Sequence, residues 1–137
     1  MLNLNAHLGS IGITPFYAVI LGFLYLFLTM RIVKLRWKHR VSIGAEGHKD
    51  LDYAIRAHGN FSEYVPFVLL IALMLELQGK SSIAVHFVCA LLVLGRFLHA
   101  FVFSYGKKVG YGRVVAMSLT LSALVSGCVL MIVSYFS

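Results

Sequence analysis

The chain has only two cysteines, Cys89 and Cys128, and both fall inside apolar runs. They can build no disulfide framework and match no metal-ligand spacing. Each reads as a small buried hydrophobe. The six histidines form no His-x-x-x-His or Glu-x-x-x-His set on one helix, so no metal site is expected. Acidic residues are scarce as well, five against twelve Lys and Arg. No phosphate loop, nucleophile elbow, low-complexity tract or internal repeat is present. Nor is any polar stretch long enough for a soluble module.

What the chain has instead is apolar surface. Sixty per cent of its 137 residues are hydrophobic, more than a soluble domain of this size can hide. Four apolar spans stand out: residues 11–30, 65–77 (the end of a longer helix), 82–103 and 114–136. With its helical flank, each can cross a hydrocarbon core of about 30 Å. Backbone amides inside lipid must be paired within the segment, so the spans are helices. The expected fold is all-α: an integral membrane four-helix bundle, with residues 1–137 as a single domain.

Charge sets the topology. Arg31, Lys34, Arg36, Lys38 and Arg40 follow the first span and nothing basic precedes it, which is not the pattern of a cleaved signal peptide. All of the twelve Lys and Arg except Lys80 and Arg96 gather at one end of the spans. By the positive-inside rule that end is cytoplasmic and both termini lie outside the cytoplasm. The net charge of +7 then reflects topology and attraction to anionic membrane lipid, not nucleic-acid binding. Trp37 fits an interfacial anchor. Glu76, near the outer end, reads as solvated.

The chemistry sits in a polar row ahead of the second span: Arg56-Ala-His58-Gly-Asn60-Phe-Ser-Glu63-Tyr64-Val-Pro66. Spacings of four and three bring Arg56, Asn60 and Glu63 into one arc about 60° wide. Ionisable groups at this depth usually serve a site. Counting back from the turn at 79–81 sets Glu63 and Arg96 at one level if the second and third helices form an antiparallel hairpin. His99 then lies near Asn60, and Phe103 near Arg56. Arg96 is expected to pair with Glu63, since an unpaired Arg this deep costs several kcal/mol. A second helix starting near Lys49 runs past the bilayer, and residues 41–50 are expected to fold over its end. The result is a cationic pocket with an apolar wall.

Each residue also has a plainer reading. Arg56 can snorkel to the interface, Glu63 with Arg96 can be a structural ion pair, and Asn60 can bond a neighbouring helix. Tyr64 can be an interface aromatic, and His99 can hold an interhelical hydrogen bond. Taken together and in this order, the residues favour a ligand with carboxylates, an amine and a thiol, for which glutathione is the candidate.

The segment from Arg56 to Pro66 resembles the signature of the MAPEG family, membrane-associated proteins in eicosanoid and glutathione metabolism. Gly95-Arg96-Phe-Leu-His99 is similar to its second motif, and the bacterial branch, like microsomal glutathione transferase, is the nearest likeness. The resemblance implies a homotrimer with glutathione bound between neighbouring protomers. It implies glutathione contacts at Arg31, Arg56, His58, Asn60, Glu63 and Tyr64, and the polar seam of the helix hairpin adds Arg96 and His99 as candidate contacts. The resemblance also implies a thiolate-stabilising, catalytic Arg113 at the start of the fourth helix. His99 and Phe103 stand where the leukotriene-forming members carry tyrosines, which argues against that activity.

The expected function is a membrane-bound glutathione S-transferase, with glutathione peroxidase activity as an extension. It joins glutathione thiolate to a lipophilic second substrate in a bacterial inner membrane. A non-catalytic lipid-binding or adaptor protein is the alternative. A small proton-coupled transporter using Glu63 is weaker, because the sequence holds no second acid near the midplane. The topology is testable: alkaline phosphatase fused after Phe136 should be active outside the cytoplasm, and the same enzyme inserted at Gly44 inactive. The reverse pattern overturns the orientation.

Overall fold

The computed structural model describes residues 11–79, 81–105 and 110–136, and of Tyr105 only the backbone. Lys80, Lys107, Lys108 and the extreme ends of the chain lie outside the described residues. Four helices follow one another: α1 (Ile13–His39), α2 (Lys49–Leu77), α3 (Ser82–Tyr105) and α4 (Gly110–Phe136). All four are long and apolar enough to cross a membrane, and no strand occurs among the described residues.

The helix bounds follow local chemistry. α2 starts at Lys49, as expected, and its 29 residues span roughly 43 Å, more than a bilayer core. α1 does not stop at Met30 but runs on through the basic cluster to His39. Arg36, Lys38 and His39 occupy its last turn, where cations complement the partial negative charge of the carbonyls. Arg40 ends the helix in the left-handed region (φ 57°). The following loop folds back on this end. Arg36 Nη1 donates to the Ser42 carbonyl at 2.8 Å, the His48 ring stacks on His39 at 4.0 Å, and His39 Nε2 lies 2.9 Å from Asp50 Oδ2. α4 likewise begins before its apolar run, at Gly110, so Arg113 sits in its first turn.

The core is one stripe from each helix. α2 contributes Ala57, Phe61, Val65, Val68, Ala72 and Leu75, a helical repeat of threes and fours. α1 supplies Leu21, Leu24 and Leu28. α3 supplies Val85, Val88 and Leu92, and α4 the small residues Ala116, Thr120, Ala123 and Gly127. The outward faces carry Phe16, Phe23, Phe67, Phe87 and Phe101. In water such a surface would aggregate, whereas against acyl chains it is in its own solvent. Cys89 is buried and Cys128 half-buried, and both are free thiols.

Glu76 corrects the sequence expectation. It is not solvated but buried, at 6 % exposure. Its carboxylate accepts the first amides of α1: Oε1 from Gly12 and Ile13 at 2.7 Å each, and Oε2 from Thr14 at 2.8 Å. The first N–H groups of a helix have no partner within it and gather partial positive charge, so a carboxylate from another helix satisfies them and is stabilised in return. Nothing in the local sequence of α2 announces this, because the partner lies more than sixty residues away. Glu76→Ala should lower the stability of the detergent-solubilised protein by roughly 3 kcal/mol, with Glu76→Gln intermediate because one acceptor oxygen remains. Thermal unfolding followed by circular dichroism measures both. Equal midpoints for all three proteins contradict the clasp.

Candidate functional site

Arg96 is the largest fully buried side chain, at 1 % exposure, and two other helices, α2 and α4, supply its partners. From α3, its Nη1 donates to the Asn60 carbonyl of α2 at 3.4 Å. Its Nη2 donates to Thr120 Oγ1 of α4 and lies 3.5 Å from the Met117 sulfur. The guanidinium carbon stands 5.9 Å from the centre of the Tyr64 ring, within cation–π range. Thr120 donates its own hydroxyl to the Ala116 carbonyl at 3.1 Å, which leaves its oxygen lone pairs to face Arg96.

The close approach of α3 and α4 depends on Gly95. A Cβ at that position would come within 2.7 Å of Thr120 Oγ1 and 3.0 Å of the Ala116 carbonyl oxygen. Thr120 and Met117 were not anticipated from the sequence. The available signal was the run of small residues Ala116, Thr120, Ala123 and Gly127 at helical spacing, a pattern that lets membrane helices touch.

One turn beyond Arg96, His99 is 2 % exposed, with its ring 4.6 Å from that of Phe103. Arg96 Nε and His99 Nε2 are both buried without a hydrogen-bond partner among the described residues. Buried polar edges left open are costly, so a polar atom delivered here by a ligand or water gains the full bond. Phe103 links the cluster to α4, because the Arg113 guanidinium carbon stands 5.9 Å from its ring centre. Arg113 itself is exposed and edges an open groove beside Met117 and Ser118.

The structure brings Tyr64, Arg96, His99 and the Asn60 backbone together, with Arg113 at the rim. It does not bring Glu63 to Arg96. Among the described residues the two form no ion pair, and Glu63 is exposed. The expected level was right, since Arg96 does lie beside Asn60 and Tyr64, but the rotation was wrong. The core face of α2 (Ala57, Phe61, Val65, Val68) is centred about 125° around the helix from the centre of the arc of Arg56, Asn60 and Glu63. Arg56 instead bonds Asp52 Oδ2 at 3.0 Å, and the Asn60 side chain donates to the Arg56 carbonyl at 3.3 Å.

The remaining two residues lie toward α1. His58 Nε2 is 3.2 Å from Thr29 Oγ1, and its ring stacks on Tyr25 at 4.7 Å. Arg31 donates to Ser104 Oγ and to the Phe103 carbonyl, at 2.9 Å each. The residues expected to share one pocket are thus divided within one chain: Arg56 and Glu63 face outward, His58 faces α1, and Arg31 bonds the end of α3.

This architecture defines a helical membrane protein whose polar groups converge where three of its four helices meet. A model of the MAPEG family matches residues 14–133, and the chain belongs to the MAPEG family, as its motifs led one to expect. It is 33 % identical over 112 residues to Inner membrane protein YecN of Escherichia coli (strain K12), an overlap of 82 % of this chain and 84 % of that protein. The protein of the same name from Escherichia coli O6:H1 matches to the same extent, 33 % over 112 residues. No solved structure matches the chain.

Thr120→Val removes the acceptor facing Arg96 and should cost about 1–3 kcal/mol in thermal unfolding. In an Arg96→Met background the same change should cost almost nothing. Equal costs in both backgrounds contradict the Arg96–Thr120 bond.

Proposed function

We propose that this protein is a membrane-bound glutathione S-transferase of the inner membrane, with both termini outside the cytoplasm. It joins glutathione thiolate to lipophilic electrophiles, and reduction of lipid hydroperoxides is a natural extension. The observation that carries this reading is the pair of open, buried nitrogens on Arg96 and His99, beside the Tyr64 ring and within one side chain of Arg113. Nitrogen donors in such a site suit carboxylates and peptide carbonyls, and Arg113 supplies the charge that favours a thiolate. A free thiol ionises at about pH 8.5, so a neighbouring cation is needed to hold it ionised at neutral pH.

The homotrimer belongs to the same proposal. In one chain Arg56 and Glu63 point outward, and a carboxylate facing acyl chains is expensive. A neighbouring protomer covering that face removes the cost. It also assembles Arg56, Asn60 and Glu63 into a glutathione site between copies, with Arg31 and His58 contributing from the α1 side. Family membership and the likeness to an inner membrane protein support the assignment.

A second reading, a non-catalytic lipid-binding or adaptor protein, draws support from the apolar grooves flanking α1. Titrating glutathione into the detergent-solubilised protein separates the two. The transferase reading predicts binding, thiolate absorbance near neutral pH and turnover of a general electrophile. It further predicts binding weakened on the order of tenfold in Arg96→Ala, and thiolate absorbance lost in Arg113→Ala. Absence of glutathione binding to the wild-type protein overturns it. Binding without turnover leaves a glutathione-binding adaptor.

A further inference from the structure

Two grooves of about 470 Å³ each flank α1, and they differ in what stands at their ends. Neither lining holds a cation itself; the groove toward α2 is lined by Leu21, Gly22, Tyr25, Phe61 and Val65, none of which hydrogen-bonds an arginine or lysine side chain among the described residues. The groove toward α3 is lined by Ile20, Leu24, Phe27, Phe97 and Phe101 and closes on Ser104. Ser104 Oγ accepts from Arg31 Nη1 at 2.9 Å, and the Phe103 carbonyl accepts from Nη2. These bonds to α3 fix where the Arg31 charge sits, at the end of an apolar channel.

The helical repeat carries the pattern on. Ile20, Leu24, Phe27, Arg31 and Lys34 follow at spacings of four, three, four and three, which is one face of α1. Lys34 is exposed and stands about 10 Å along the axis from Phe27. An apolar channel that runs into two cations on the same face matches an amphiphile with a negative head.

We propose that the groove between α1 and α3 seats an acyl chain of an anionic phospholipid from the bilayer, with its phosphate at Arg31 and Lys34. The phosphate is the charge that this end of α1 complements, and the aromatic walls Phe27, Phe97 and Phe101 receive the chain. The site does not depend on glutathione binding. It sharpens a diffuse attraction between basic residues and anionic lipid into one place on the surface. Arg31 then has a second role beside any contact with glutathione, through the α3 turn that also holds Phe103.

Native mass spectrometry of the full-length protein in mild detergent tests this. Phosphatidylglycerol is compared with phosphatidylcholine of the same acyl chains. The site predicts at least about fivefold tighter retention of phosphatidylglycerol, with about that factor lost in Lys34→Gln. Phe27→Ala, at an exposed position that leaves the fold intact, should weaken both lipids alike. Arg40→Gln, on the same basic segment but off this face, should leave the preference unchanged.

Several results overturn the proposal. One is equal retention of the two lipids. Another is a loss in Arg40→Gln as large as in Lys34→Gln, the mark of a diffuse basic surface. A third is palmitate displacing all bound phosphatidylglycerol, which makes a free fatty acid the occupant. Efficient disulfide formation between copies of a Phe27→Cys variant would mean that a second chain covers the groove.

Discussion

Arg96 imposes the constraint on which the middle of the molecule depends. A guanidinium cannot shed its charge at any ordinary pH, and within a bilayer it must find acceptors or pull water inward. Here it is fully buried, so α2 and α4 must both come to it. α2 offers a carbonyl and an aromatic face, and α4 offers a hydroxyl whose proton is already committed to its own backbone. The approach of α4 in turn requires a glycine next to the arginine. A side chain at position 95 would push away the group that satisfies position 96. The packing of three helices and the pairing of one charge are thus a single arrangement.

The same logic operates at the opposite end. Glu76 is the acid counterpart of Arg96: a charge taken out of water and matched by groups from a distant part of the chain. α1 shares little of the core and much of the outer surface, and its position rests on such polar ties. The Glu76 clasp holds its start, the His58–Thr29 contact its middle, and the Arg31 bonds to α3 its later turns. Because hydrophobic burial gives little drive between helices already in lipid, directional bonds of this kind decide register and orientation.

Much of the fold was legible in the sequence. Four apolar runs became four helices, and the second does start at Lys49, well ahead of its apolar run. Depth was legible too: counting from the α2–α3 turn placed Arg96 at the level of Glu63, and Arg96 lies beside Asn60 and Tyr64, the residues that flank that level. Rotation was not. The 60° arc of Arg56, Asn60 and Glu63 tells that these residues share a face, but not whether that face meets α3 or looks outward. The answer came from the stronger apolar stripe of Phe61, Val65 and Val68, which claims the core. The fate of Glu76 was hidden for another reason, since its partners are backbone amides, which carry no sequence signal. Thr120 was hidden because a lone hydroxyl in an apolar helix more often bonds its own backbone, as this one also does.

The functional account reduces to the open edges of Arg96 and His99. In the proposed trimer the outward face of α2 would supply the remaining polar groups. The most direct measurement follows the Arg96 Nε–H resonance in ¹⁵N-arginine-labelled protein in nanodiscs as glutathione is added. The account predicts a saturable downfield proton shift as the ligand accepts this hydrogen bond, with no such shift for an analogue lacking both carboxylates. A resonance that stays in place while glutathione binds elsewhere on the protein contradicts it.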